Sequence, residues 1–95
     1  MIALLLLGAC AHEPDAEAGA EKYGVFCESC HGADGTAGVQ VDGVAAADLN
    51  ATVPDLDDSA LAGVIQQGTG AMPAQQLDDD ETADVIAYLR AEFAP

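Results

Sequence analysis

Residues 27–31 read Cys27-Glu28-Ser29-Cys30-His31, and Cys-x-x-Cys-His is the attachment signature of a c-type haem. Each part has a chemical reason. Two thiols held two residues apart match the two vinyl groups of haem and can add across them as thioethers, and the histidine that follows then lies beneath the iron as its proximal ligand. Two other chemistries use paired cysteines. A thioredoxin-type redox pair wants a βαβ context and no histidine at the next position. A zinc site wants four ligands, and the chain has no second cysteine pair. The stretch therefore predicts haem, and with it a polypeptide wrapped round a large, flat, apolar body.

Length and composition agree with that centre. Ninety-five residues make one small domain, and chains this short bury a modest core and often need a staple. Two Tyr, two Phe and no Trp are few aromatics for a core, which suits a domain filled by a cofactor. Seventeen acidic residues against two basic ones give a formal charge of −15, and haem propionates would add to it. Recognition of nucleic acid by a basic footprint is excluded. Such a charge favours solubility and steers the molecule toward basic partner surfaces, with salt-sensitive rates. A solvated acidic coat is the plainer reading of the same numbers, and both can hold.

The run from Ile2 to Ala9 is apolar, uncharged and too short to span a bilayer. It reads as the end of an export signal. Leu7-Gly8-Ala9-Cys10 resembles the bacterial lipobox, which divides the chain into a lipoprotein-type signal peptide at 1–9, a lipid-attached tether at 10–15 and a domain at 16–95. A plain signal peptide with an incidental cysteine is the alternative. Cysteine arithmetic favours the lipid, because Cys27 and Cys30 are claimed by haem and Cys10 is left without a disulfide partner. Two or more acyl chains anchor a protein stably. His12 falls in the tether, where the sequence offers nothing to hold it, and reads as a solvated residue rather than an iron ligand. Asp15 is then the N-cap of a helix running to about Cys27. Gly19, Tyr23 and Cys27 recur on one face of it, with Ala20 and Phe26 alongside. A glycine there permits close helix approach at some cost in propensity, unless it is simply tolerated.

Gly19-x-x-x-Tyr23-x-x-x-Cys27-x-x-Cys30-His31-Gly32 resembles the opening of the class I cytochromes c, and the similarity runs over roughly residues 16–93. The resemblance implies that the first and last helices cross at about a right angle, with Gly19, Tyr23 and Tyr88 at the crossing. It also implies that a backbone carbonyl from a Pro-x-Leu motif accepts the ring N–H of the proximal histidine. The corresponding run here is Ala47-Asp48-Leu49. A carbonyl near Ala47 remains available although Ala stands in place of Pro, and Leu49 is placed to pack against the ring. Between Gly32 and Val53 the chain shows no clear periodicity and reads as Ω-type loops.

Asp57 or Asp58 caps a second helix whose buried stripe is Leu61, Val64 and Ile65, and Gly68 stops it. The segment that follows, Gly68-Thr69-Gly70-Ala71-Met72-Pro73, is the second place where chemistry resides. An electron carrier of this kind needs a sixth iron ligand, and a thioether raises the potential of His-ligated iron. Of the two methionines, Met1 leaves with the signal, so Met72 is the one available. Pro73 biases it to an extended backbone. A gap-filling core methionine is the plainer reading. Asp78 and Glu81 form a capping-box pattern for the last helix, whose inward face is Thr82, Val85, Ile86, Leu89 and Phe93. Arg90 lies near its C-terminal end, where the dipole favours a cation.

The expected molecule is an all-α cytochrome c fold, with three principal helices and Ω-type loops around one covalently attached haem c. With Cys27 and Cys30 as thioethers and His31 and Met72 as axial ligands, the iron keeps no open position. The expectation is then a one-electron carrier rather than an enzyme. Its expected setting is periplasmic, anchored in the membrane by lipid at Cys10, facing redox proteins with basic docking surfaces and no nucleic acid. The alternatives are a haem subunit of a larger oxidase or dehydrogenase, a thiol–disulfide oxidoreductase using Cys27 and Cys30, and a haem sensor or peroxidase in which Met72 is displaced.

Overall fold

The computed structural model describes residues 12–95; the signal-peptide and Cys10 expectations lie outside them. Helix α1 spans Ala16–Phe26, and its start is set by the Asp15 carboxylate, which accepts from the N–H groups of Glu17 and Ala18. A single further turn, α2 at Glu28–His31, carries the rest of the cysteine motif. Gly32 ends it at φ +82°, and a Cβ there would meet the Ala37 Cβ at 2.8 Å. Two short strands follow, β1 (Gln40–Val41) and β2 (Val44–Ala45), paired antiparallel with Val41 opposite Val44. Helices α3 (Leu49–Asp55), α4 (Asp58–Gln67) and α5 (Asp79–Phe93) complete the chain. Asp57 caps α4 through the Ala60 N–H, and the Asp78–Glu81 capping box opens α5. The three long helices and their caps fall where the periodicity and the acidic residues put them.

What positions everything else is the packing of α1 on α5. Gly19 makes it possible, since a Cβ at that position would sit 1.9 Å from the Asp84 carbonyl oxygen. Just below, Tyr23 is buried between Tyr88 and Phe93, with ring centroids 5.2 and 5.8 Å away. At the rim Lys22 and Glu81 pair at 3.0 Å, a half-exposed contact of the kind that contributes little. The inward face of α5 is buried as its spacing predicts, from Thr82 through Val85, Ile86 and Leu89 to Phe93. Val53, Leu61, Ile65 and Leu77 join the same core. Burial of each such aliphatic or aromatic side chain contributes about 1.5–3 kcal/mol.

Two expectations are corrected. The stretch read as loops to Val53 contains a hairpin and a helix. The hairpin turns on Asp42-Gly43, both at positive φ (53° and 80°), the backbone that two-residue hairpin turns require. Helix α3 escaped periodicity because it is only seven residues long and carries Pro54 inside it; its one local signal is Asp48, whose carboxylate accepts the Asn50 N–H at 2.9 Å. His12 is exposed and outside the cleft, as expected, but it is held. Its Nε2 donates to Asp84 Oδ1 at 2.7 Å, and the Asp15 N–H donates to the same oxygen at 2.8 Å. Asp84 is itself largely buried on α5, so the segment preceding α1 is fastened to the helix crossing.

A candidate haem cleft

One cleft of about 570 Å³ gathers the residues that the sequence singles out for chemistry: Cys27, Cys30, His31 and Met72 all line it. Each arrives by a different local cause. Cys27 ends α1 and begins α2, and its N–H still bonds to Tyr23 O. One helical turn later come Cys30 and His31, whose N–H groups both return to Cys27 O at 3.2 and 3.0 Å. The turn is held from outside by the Tyr23 hydroxyl, which donates to Gly32 O at 2.5 Å. It is also held by Ala37 and Val39, whose N–H groups bond to His31 O and Cys30 O. Cys27 is buried and Cys30 half-buried, and no disulfide joins them.

His31 is buried, and its Nδ1 lies 3.0 Å from Ala47 O. A carbonyl can only accept, so Nδ1 carries the proton and Nε2 keeps its lone pair. Nε2 has no hydrogen-bond partner, yet no buried side-chain nitrogen or oxygen among the described residues is orphaned. It therefore opens on the cleft that His31 lines. This is the arrangement a metal-ligating imidazole needs, with one nitrogen oriented by a backbone acceptor and the other free to coordinate. Ala47 does what the sequence comparison left to a proline, because the acceptor is a main-chain atom.

Met72 reaches the cleft on a tight turn in which Thr69 and Met72 exchange both backbone hydrogen bonds, at 3.1 and 2.9 Å. Gly68, at φ +77°, is needed for the closure of this turn itself: a Cβ there would meet Met72 O at 2.6 Å. The remaining wall is mostly aliphatic and includes Leu49, Val53, Leu61, Ile65, Val85 and Leu89. Val39, Val41 and Val44 of the hairpin also line it. The sequence reading missed these three, and the available signal was the Asp-Gly turn between them. Neither Lys22 nor Arg90 is among the lining residues.

The donor set fits haem and fits its rivals poorly. Burial pushes the Cys27 thiol up to about 11, with the neighbouring Cys30 adding to it. A dithiol oxidoreductase needs the opposite, a lowered thiol pKa that supplies thiolate at neutral pH. A zinc site fares no better, since among the described residues no three His, Cys, Asp or Glu side chains come together as a metal cluster. A large apolar cleft with two thiols, an oriented imidazole and a thioether on its surface suits an iron porphyrin.

Residues 14–89 match the protein family described as cytochrome c oxidase, cbb3-type, subunit III. The chain belongs to the c-type cytochromes. Cytochrome c-551 of Bacillus subtilis (strain 168) is similar to this cytochrome, 31% identical over 77 residues. The match takes in 81% of this chain and 63% of that relative's length. The all-α fold expected from the sequence is thus borne out, as is a single covalently bound haem c. Among the described residues of the cytochrome no helix is long and apolar enough to cross a membrane.

Proposed function

We propose that this cytochrome is a one-electron carrier whose haem is attached through Cys27 and Cys30 and ligated by His31 and Met72. What supports the reading is the convergence of these four side chains on one cleft, with His31 Nδ1 occupied by Ala47 O and Nε2 left to coordinate. When bound, haem supplies a one-electron ferric/ferrous couple. The chain's own residues do the rest. Cys27 and Cys30 hold the ring by covalent bonds, and Ala47 orients the imidazole. The Thr69–Met72 turn presents the thioether. The same two protein ligands serve both oxidation states, so little has to move when an electron does. The aliphatic wall excludes water, which favours the less charged ferrous form, while the surrounding −15 charge acts in the other direction.

In this reading the partners are redox proteins with basic docking surfaces, the encounter is small and transient, and the setting is periplasmic, with the domain held at a membrane by lipid on Cys10. Cys10 would stand only two residues before the fastened His12. A second reading, a haem subunit of a larger oxidase, is favoured by the description of the matched family, and co-purification with integral oxidase subunits would select it. The deciding experiment on the site is spectroscopic. A haemochrome spectrum on denatured protein, with pigment that resists acid–acetone extraction, is expected, as is a Met–iron charge-transfer band in the native ferric state. Colourless, folded protein from a host competent in cytochrome maturation would end the haem reading, and a missing charge-transfer band would end the role of Met72.

A further inference from the structure

Helix α3 carries part of the cleft wall, with Leu49, Thr52 and Val53 on the helix and Leu56 at its C-cap all lining the cleft. It has little internal reason to stay in place. Seven residues are too few for a helix to stand alone, and Pro54 has no N–H to offer the Asn50 carbonyl one turn back. Its position is set by ties to other segments. At its N-terminal end the Leu49 N–H bonds to Gly35 O at 3.0 Å and the Asn50 amide to Asp34 O at 2.9 Å. At its C-terminal end stands Arg90 of α5. One guanidinium nitrogen donates to Val53 O and the other to Leu56 O, each at 2.5 Å. Asp58 Oδ1 takes two more bonds, at 2.8 and 3.1 Å.

We propose that Arg90, which does not line the cleft, is a positioning residue for the haem: by tying the last carbonyls of α3 to α5 it fixes the Thr52–Leu56 wall against the ring and keeps water from it. The planar fork is what suits the task, because it serves three acceptors on two segments at fixed angles. A lysine ammonium at the same position is a single point charge that cannot span them. Loss of the tie lets the wall open, and water at the ring favours the ferric form, since solvent access is one of the levers on haem potential. Asp58 is the lesser partner. It is well exposed, and exposed ion pairs contribute little.

The proposal rests on the cleft being the haem site, which the wild-type haemochrome spectrum tests by itself. The experiment compares holoprotein of Arg90→Lys, Arg90→Met and Asp58→Asn by spectroelectrochemical titration and by amide hydrogen exchange. Both Arg90 variants are expected to have a lower midpoint potential, and the α3 amides should exchange about tenfold faster or more, with the most protected α1 amides unchanged. Asp58→Asn is expected to match wild type in both. Arg90→Lys separates position from charge, since an effect of charge alone survives that substitution. Wild-type potential and α3 exchange in Arg90→Lys overturn the proposal, whether or not Arg90→Met yields holoprotein. So does an Asp58→Asn variant that reproduces the full effect.

Discussion

Gly19→Ala pits two physical effects of opposite sign against each other. Measured by helix propensity alone, the substitution should stabilise α1 by about 1 kcal/mol. Packing says otherwise. The new Cβ would lie 1.9 Å from the Asp84 carbonyl oxygen and 2.5 Å from its carbon, and 3.0 Å from the Tyr88 Cβ. The first two are backbone atoms of α5 and cannot swing aside as a side-chain tip can. Restoring even a tight 3.0 Å contact to that oxygen requires 3.0 − 1.9 = 1.1 Å of movement. The helices must therefore part along the seam that holds Tyr23 against Tyr88 and Phe93, and that joins Lys22 to Glu81. Overpacking in a filled core costs about 1–3 kcal/mol, and a clash with backbone belongs at or above the top of that range. After the propensity gain a net loss of about 2 kcal/mol remains, or about 8–16 °C in Tm for a domain of this size. Thermal melts of holoprotein followed by far-ultraviolet circular dichroism and by Soret absorbance would measure it. A Gly19→Ala protein as stable as wild type, or more so, would refute the claim that backbone contact at this crossing outweighs helix propensity.

Met72→Ala should leave the haem attached while opening the sixth position, lowering the potential and admitting carbon monoxide; unchanged spectra would remove Met72 from the ligand set. The His12–Asp84 contact makes stability depend on pH. The bond to Asp84, with help from Asp80 and Asp78, raises His12 above its ordinary 6.5. Its contribution is thus complete below pH 6.5 and fades as the pH rises through the folded-state value. Burial opposes ionisation of Asp84, but the Asp15 N–H and His12 outweigh it and hold the carboxyl below its ordinary 3.8, so the contribution is lost again as acid protonates Asp84. The Tm advantage of wild type over His12→Gln should accordingly shrink as the pH rises from 6.5 through the raised folded-state value; a constant gap would mean that His12 is held by packing alone. Cys10→Ser should release the protein from membranes with its visible spectrum intact, and persistent membrane association would dispose of the lipid.

How far the sequence could be read depended on whether a feature was local. The caps at Asp15, Asp57 and Asp78 were legible because an N-cap carboxylate acts on N–H groups two or three residues away. The Cys27–His31 motif was legible because two thioethers and a ligand must lie within one helical turn. Features that depend on distant partners were not. His12 and Asp84 are 72 positions apart, and nothing near His12 announces the carboxylate that holds it. Asp84 stands among the buried residues of α5, where a periodicity search looks for apolar side chains and passes over an acid satisfied from another segment. Arg90 invited a helix-dipole reading, which its place in the last turn of α5 permits, but its bonds run to Val53, Leu56 and Asp58. The valine hairpin fell between the two cases, its Asp42-Gly43 turn being visible but its strands too short to alternate.

The packing of α1 against α5 has a consequence for how the molecule is made. Cys27 and Cys30 lie far in sequence from the helix that covers Gly19 and Tyr23 and lends Val85 and Leu89 to the cleft, Asp79–Phe93. Until that helix docks, α1 cannot bury the face that carries Gly19 and Tyr23, and the cleft lacks one of its walls. Closure of the cleft is thus tied to the docking of a segment that lies far along the chain from the two thiols.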